Sequence, residues 1–137
     1  MLHLAICDKS LNDTEQMEKY LENIKFFNFD YEVFENAKEL YKYQTQHHEN
    51  FDIYILSIEL EDMLGLEVAR KLREDSQEAL IIFVSNDAKC VFDVFDVFTF
   101  AFLLKPLTYN KFSTTLYNAF NSVSYTHLRA HETAANL

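Results

Sequence analysis

A chain of 137 residues, 49% hydrophobic and 25% charged, has the size and composition of one folded domain with its own core, not of a disordered segment. Its 22 acidic residues outweigh 12 basic ones for a formal net charge of −10, so it repels phosphate backbones and makes a poor nucleic-acid binder by itself. A single glycine excludes the Gly-rich nucleotide loops, and no apolar run approaches the roughly 18 residues that span a bilayer.

Leu2-His3-Leu4-Ala5-Ile6-Cys7 is apolar almost throughout and stops at Asp8, the pattern of a strand buried on both faces. Asn12 with Glu15 three residues on resembles a capping box. Met17, Leu21 and Ile24 then predict an amphipathic helix. Phe29 to Phe34 is rich in β-favouring residues. Asn36 is suited to cap a helix through His47, with Ala37, Leu40 and Tyr41 as its apolar face. Asp52-Ile53-Tyr54-Ile55-Leu56 predicts a third strand. Gly65 opens a helix with Leu66, Ala69 and Leu72 inside and Arg70, Lys71 and Arg73 outside. Leu80 to Val84 is a fourth buried strand, ending at Ser85-Asn86-Asp87. A helix is predicted over 88–97 and a fifth strand over 100–104, ended by Lys105-Pro106. Thr108 caps a last helix carrying Phe112, Leu116 and Phe120.

Buried strands alternating with helices over short connections predict an α/β fold, a doubly wound five-stranded parallel sheet with helices on both faces. The domain is expected over residues 1–123. Residues 124–137 lack an apolar stripe and look like translated adapter sequence, so a non-native or disordered tail is expected there. With no leader pattern at Met1, a cytoplasmic location is expected. Cys7 and Cys90, each in an apolar stretch, read as reduced core thiols.

In an open parallel sheet, sites form beyond the carboxyl ends of the strands. The residues there are Asp8 and Lys9, Ser57 to Glu59, Ser85 to Asp87, and Lys105. One acid, two lysines and two hydroxyls are thus expected to converge on one crevice. His47-His48-Glu49 reads as a solvated helix end, and His127 and His131 make no H-E-x-x-H, so no metal site is assigned.

Ile6-Cys7-Asp8, Phe51 to Leu56, Gly65-Leu66-Glu67, Ile81 to Ser85 and Phe102-Leu103-Leu104-Lys105-Pro106 together resemble a bacterial response-regulator receiver domain over residues 1–123. Residues 52–60 and 91–106 resemble the branch whose output is a LytTR-type DNA-binding domain. The resemblance implies a flavodoxin-like sheet of order 2-1-3-4-5. It also implies phosphorylation of an aspartate after the third strand, with magnesium on that aspartate and on an acidic pair after the first. A Ser/Thr and a Lys would bind the phosphoryl oxygens. Asp8 matches the first acid, Ser85 the hydroxyl, Lys105 the lysine and Phe102 the switch aromatic. Ser57 stands at the phosphoacceptor position and Lys9 at the second acid, so both positions are degenerate. A serine hydroxyl is a weak nucleophile without a base and offers magnesium no charged oxygen. Lys9 adds repulsion; two unit charges about 4 Å apart interact by roughly 4 kcal/mol at an effective dielectric of about 20. Asp8 is therefore expected to pair with Lys9, Lys105 or both, with no cofactor.

The resemblance makes this an atypical receiver, the regulatory half of a LytTR-type transcription regulator, signalling through protein contacts. If 91–98 is helical, the apolar residues of Val91-Phe92-Asp93-Val94-Phe95-Asp96-Val97-Phe98 cover roughly 220° of its surface, more than one sheet-facing stripe needs. Val91, Phe92, Phe95 and Val97 are the expected interface for a homodimer, an output domain or a histidine kinase; neither nucleic acid nor membrane is an expected partner. One alternative is a conventional phosphorelay receiver using Glu59 or Asp62, although both should point away from Lys105. Another is a flavodoxin-like ligand-binding protein or enzyme, against which stands the missing Gly-rich loop.

Overall fold

The computed structural model describes residues 1–48, 50–76, 78–90 and 97–136, with side chains described as far as residue 125. Five strands, β1 (Leu2–Cys7), β2 (Phe29–Phe34), β3 (Ile53–Ser57), β4 (Leu80–Ser85) and β5 (Ala101–Leu104), form one sheet of order β2-β1-β3-β4-β5. Every neighbouring pair is parallel. Among the described residues the helices are α1 (Leu11–Glu22), α2 (Ala37–His47), α3 (Gly65–Asp75) and α4 (Tyr109–Asn136).

The continuous apolar runs of β1, β3 and β4 follow from burial on both faces. Ala5, Cys7, Tyr54, Leu56, Ile81 and Phe83 point to one side, where Leu40 of α2 and Val68, Ala69 and Leu72 of α3 cover them. Leu4, Ile6, Ile53, Ile55, Ile82 and Val84 point to the other, under Met17 and Leu21 of α1 and Phe112, Leu116 and Phe120 of α4. Each of the Leu, Ile, Val, Met and Phe side chains among them, once fully buried, contributes about 1.5–3 kcal/mol. The edge strand β2 alternates between half-buried and exposed residues until Phe34. Burial pushes the Cys7 thiol up to about 12, aided by Asp62, Asp8 and Glu39, so it stays protonated. Cys90 packs half-buried against the same core.

Two local expectations change. The cap of α1 is Ser10, not Asn12, and the Ser10 side chain accepts from the Asp13 amide at 3.3 Å. The reason lies upstream: Asp8 Oδ1 accepts from the Ser10 amide at 2.9 Å, so the chain turns before Asn12 is reached. Asn36 does cap α2, through the Glu39 amide at 2.9 Å. Arg73 does not lie free on the outer face of α3. Its guanidinium donates to the carbonyls of Ser76, Ala79, Val97 and Phe98, tying α3 to the approach to β5. The backbone of α4 continues past Val123 to Asn136. No glycine or proline interrupts that stretch, so nothing local stops the helix.

The helix expected over 88–97 falls mostly outside the described residues. Within them, residues 88–90 form a tight helical turn and Val97 is buried.

Candidate functional site

The carboxyl ends of β1, β3, β4 and β5 meet around a small polar crevice. Asp8 follows β1 directly, and its amide donates to Phe34 of β2 at 3.0 Å, which fixes its direction. Its Oδ2 accepts from Lys105 Nζ at 2.7 Å. Lys105 follows β5, and its amide bonds Ser85 O at 2.8 Å. Its side chain therefore reaches across the ends of β4 and β3 to β1. The same ammonium meets Asp13 Oδ2, in the first turn of α1, at 2.8 Å. Lys105 and Asp8 side chains are only 5% and 1% exposed. Burial disfavours the Lys105 charge, but hydrogen bonds and charge from Asp13 and Asp8 hold it above the ordinary lysine value. For Asp13, burial raises and the Lys105 and Ser10 contacts lower; the net direction is down.

Ser57 closes β3 and is buried, its hydroxyl donating to Glu59 O at 3.4 Å. Ser85 closes β4 and is fully buried. Its hydroxyl lies 2.6 Å from Glu59 Oε1 and 3.4 Å from Asp87 O, and accepts from the Asp87 amide at 3.0 Å. The loop from Ile58 to Leu64 that carries Glu59 is tightly held. Ile58 N bonds Val84 O at 3.1 Å, Gly65 N bonds Ile58 O at 2.8 Å, and Glu59 bridges Leu64. Position 65 must be glycine, because any Cβ would collide with the Ser57 carbonyl.

Asp8, Ser57, Ser85 and Lys105 thus come together as expected from the sequence. Lys9 does not: it is exposed. Because Asp8 binds the Ser10 amide, the intervening residue is turned outward, where it lines a separate cavity of about 260 Å³ with Asp8, Glu35 and Glu39. Asp13 takes the second carboxylate role beside Lys105. Glu59 does not point away from the crevice, since its carboxylate reaches Ser85. Asp62 is used elsewhere, accepting from the Ala37 and Lys38 amides at the start of α2. Phe102 is half-buried on β5, paired in register with Phe83. Val97 is no interface residue: at 3% exposure it packs into the core cluster that includes Leu72 and Ile81. Val91, Phe92 and Phe95 lie outside the described residues.

Asp13 is absent from the strand-end residues because it does not directly follow a strand, whereas Glu59 stands among them and differs only in the direction of its carboxylate. For Asp13 a signal exists: it stands in the first turn of α1, which starts beside the end of β1. The donor set does not suit a magnesium ion. Both Asp8 oxygens are engaged, an ammonium sits between Asp8 and Asp13, and Ser57 contributes only a hydroxyl. Among the described residues no three His, Cys, Asp or Glu side chains are grouped to hold a metal.

The family profile of the response regulator receiver domain matches residues 4–117. Among curated proteins none matches. Among solved structures, the chain is similar to a CheY-like response regulator receiver domain protein from Methanospirillum hungatei (TM-score 0.78, 19% identity, 92% of this chain and 98% of that one). It is also similar to the signal receiver domain of a putative LuxO repressor protein from Vibrio parahaemolyticus (TM-score 0.80, 14% identity, 93% and 95%). A third similar structure is the response regulator TrrA from Thermotoga maritima in complex with Mg²⁺ and BeF (TM-score 0.74, 22% identity, 87% and 99%). At these identities the likeness to solved structures is one of fold. The fold and the strand-end crevice define a doubly wound signalling domain of the CheY-like kind. The chain belongs to the response regulator receiver domain family, the module that two-component systems place between kinases and output domains. Among the described residues no helix is long and apolar enough to cross a membrane.

Proposed function

We propose that this receiver is a pseudo-receiver, which signals through protein contacts without aspartyl phosphorylation. The observation that carries this reading is the Asp8–Lys105–Asp13 cluster. In the family pattern the lysine answers a phosphoryl group. Here it is bonded to two carboxylates, and the residue at the end of β3 is Ser57. Asp8, Asp13 and Glu59 also give the crevice more negative than positive charge, which disfavours an incoming phosphate. The regulatory half of a LytTR-type transcription regulator, in the cytoplasm, is the whole-protein setting we propose. The wording of 52–60 and 91–106 supports it, and the net charge of −10 leaves DNA binding to another domain.

The test is incubation with acetyl phosphate and magnesium, followed by intact-mass spectrometry. No phosphoryl adduct is expected. A stoichiometric adduct would overturn the reading. An adduct mapping to Glu59 would establish instead a phosphorelay receiver with a displaced acceptor, a second reading favoured by the position of the Glu59 carboxylate against Ser85.

A further inference from the structure

We infer that Glu59 is a built-in anionic ligand of the crevice, its carboxylate holding the Ser85 hydroxyl as a bound oxyanion would, so that the end of β4 stays in one state without any signal. This deepens the reading above and rests on it, since a crevice that takes no phosphoryl group needs another source for the anion that engages Ser85.

Three observations meet at this residue. The Ser85 hydroxyl is fully buried and its short bond, 2.6 Å, goes to Glu59 Oε1. That is the length of a charge-assisted hydrogen bond between a hydroxyl and a carboxylate. The other oxygen, Glu59 Oε2, is buried with no partner among the described groups. A glutamate that merely decorated a loop would turn that oxygen to water, because leaving a carboxylate oxygen unsatisfied is costly. Finally, the loop gives the carboxylate a fixed base. Ile58 is tied to β4, Glu59 bridges Leu64, and Gly65 packs directly on the Ser57 carbonyl. The anion is therefore preorganised and needs no ordering when it engages the hydroxyl. Ser85 also accepts from the Asp87 amide, so the bond extends into the turn that leaves β4. Whatever engages Ser85 sets the start of that turn.

Removing the tether should leave a seat that a free carboxylate can fill. In Glu59→Ala, the amide signals of Ser85, Asn86 and Asp87 should shift, and their hydrogen exchange should quicken by roughly tenfold or more, the factor that a charge-assisted hydrogen bond carries. Added sodium formate should return those signals toward their wild-type positions in a saturable way, and the same formate should leave the wild type unchanged. Glu59→Gln, whose neutral amide oxygen accepts more weakly, should place Ser85 to Asp87 between the wild type and Glu59→Ala. The inference is overturned if Glu59→Ala folds with these residues unperturbed, or if formate moves the wild type as much as the variant. Should Glu59→Ala fail to fold, Ser85→Ala removes the donor instead. It must then quicken exchange across the Glu59 to Leu64 loop, and unchanged protection there would equally overturn the inference. None of these readouts involves phosphorylation, so a phosphoryl adduct at a residue other than Glu59 would count against the proposed function alone, whereas one on Glu59 would overturn both.

Discussion

Lys105 acts here as a buried cross-link between β5, β1 and α1, and Lys9 beside it as an ordinary surface lysine. The two should therefore differ sharply under mutation. Lys105→Met leaves Asp8 buried without its cation and should cost about 3–5 kcal/mol, the range for breaking one side of a buried pair. Lys9→Ala removes an exposed side chain and should stay within about 0.5 kcal/mol. Urea melts of the two variants check this, and similar losses would contradict the geometry. The same cluster sets an acid limit. Asp13 is held below its ordinary 3.8, so it contributes stability that is complete above that value and is lost as pH falls through its lower folded-state value. Lys105 is held above 10.5 and contributes stability that is complete below that value and is lost only as pH rises through its raised one. Asp13→Asn should thus flatten the fall in stability as the pH drops through the acid range below the ordinary carboxylate value, measured by urea melts along that limb. An unchanged acid limb would show that Asp13 does not act through Lys105.

At the scale of elements, the turn from β3 into α3 is the part with least tolerance. Gly65 is needed for close approach, not for an unusual backbone angle, since the would-be Cβ meets the carbonyl of Ser57 at the end of β3. That carbonyl belongs to the sheet and cannot retreat as a flexible side chain would. Gly65→Ala should cost about 1–3 kcal/mol or more, as overpacking a close contact does. It should also displace the loop that carries Glu59, so exchange at Ser85 should quicken together with the loss of stability. A Gly65→Ala protein as stable as wild type in a denaturant melt would remove the close packing from the argument. The start of α1 teaches the complementary lesson. The sequence offers Asn12 as the cap, and the hydrogen bond from the Ser10 amide to Asp8 starts the helix earlier, at Ser10.

For the molecule as a whole, the described part of the apolar surface near β5 is centred on Phe98 and not on Val97. Val97 is buried, while Phe98 is 79% exposed with φ of 55°, a backbone conformation that bulky residues seldom adopt. Arg73 holds the carbonyls of Val97 and Phe98 and so fixes this arrangement. Phe100 and Leu104 add exposed apolar area on the same approach to and along β5. If copies associate through this surface as a two-fold dimer, Phe98→Asp should lower self-association and leave monomer stability within about 0.5 kcal/mol, since aspartate tolerates the left-handed region better. Sedimentation equilibrium of both proteins reads this directly, and an unchanged dimer constant would move the interface elsewhere. The strand and helix order, the two-sided burial of β1, β3 and β4, and the meeting of Asp8, Ser57, Ser85 and Lys105 were legible in the sequence, because apolar runs and strand ends are local patterns. Which ions pair was not legible. A local turn at Asp8 and Ser10 sends Lys9 outward; Asp13 meets Lys105, and Glu59 meets Ser85, only because the sheet brings distant segments together, which no spacing along the chain encodes.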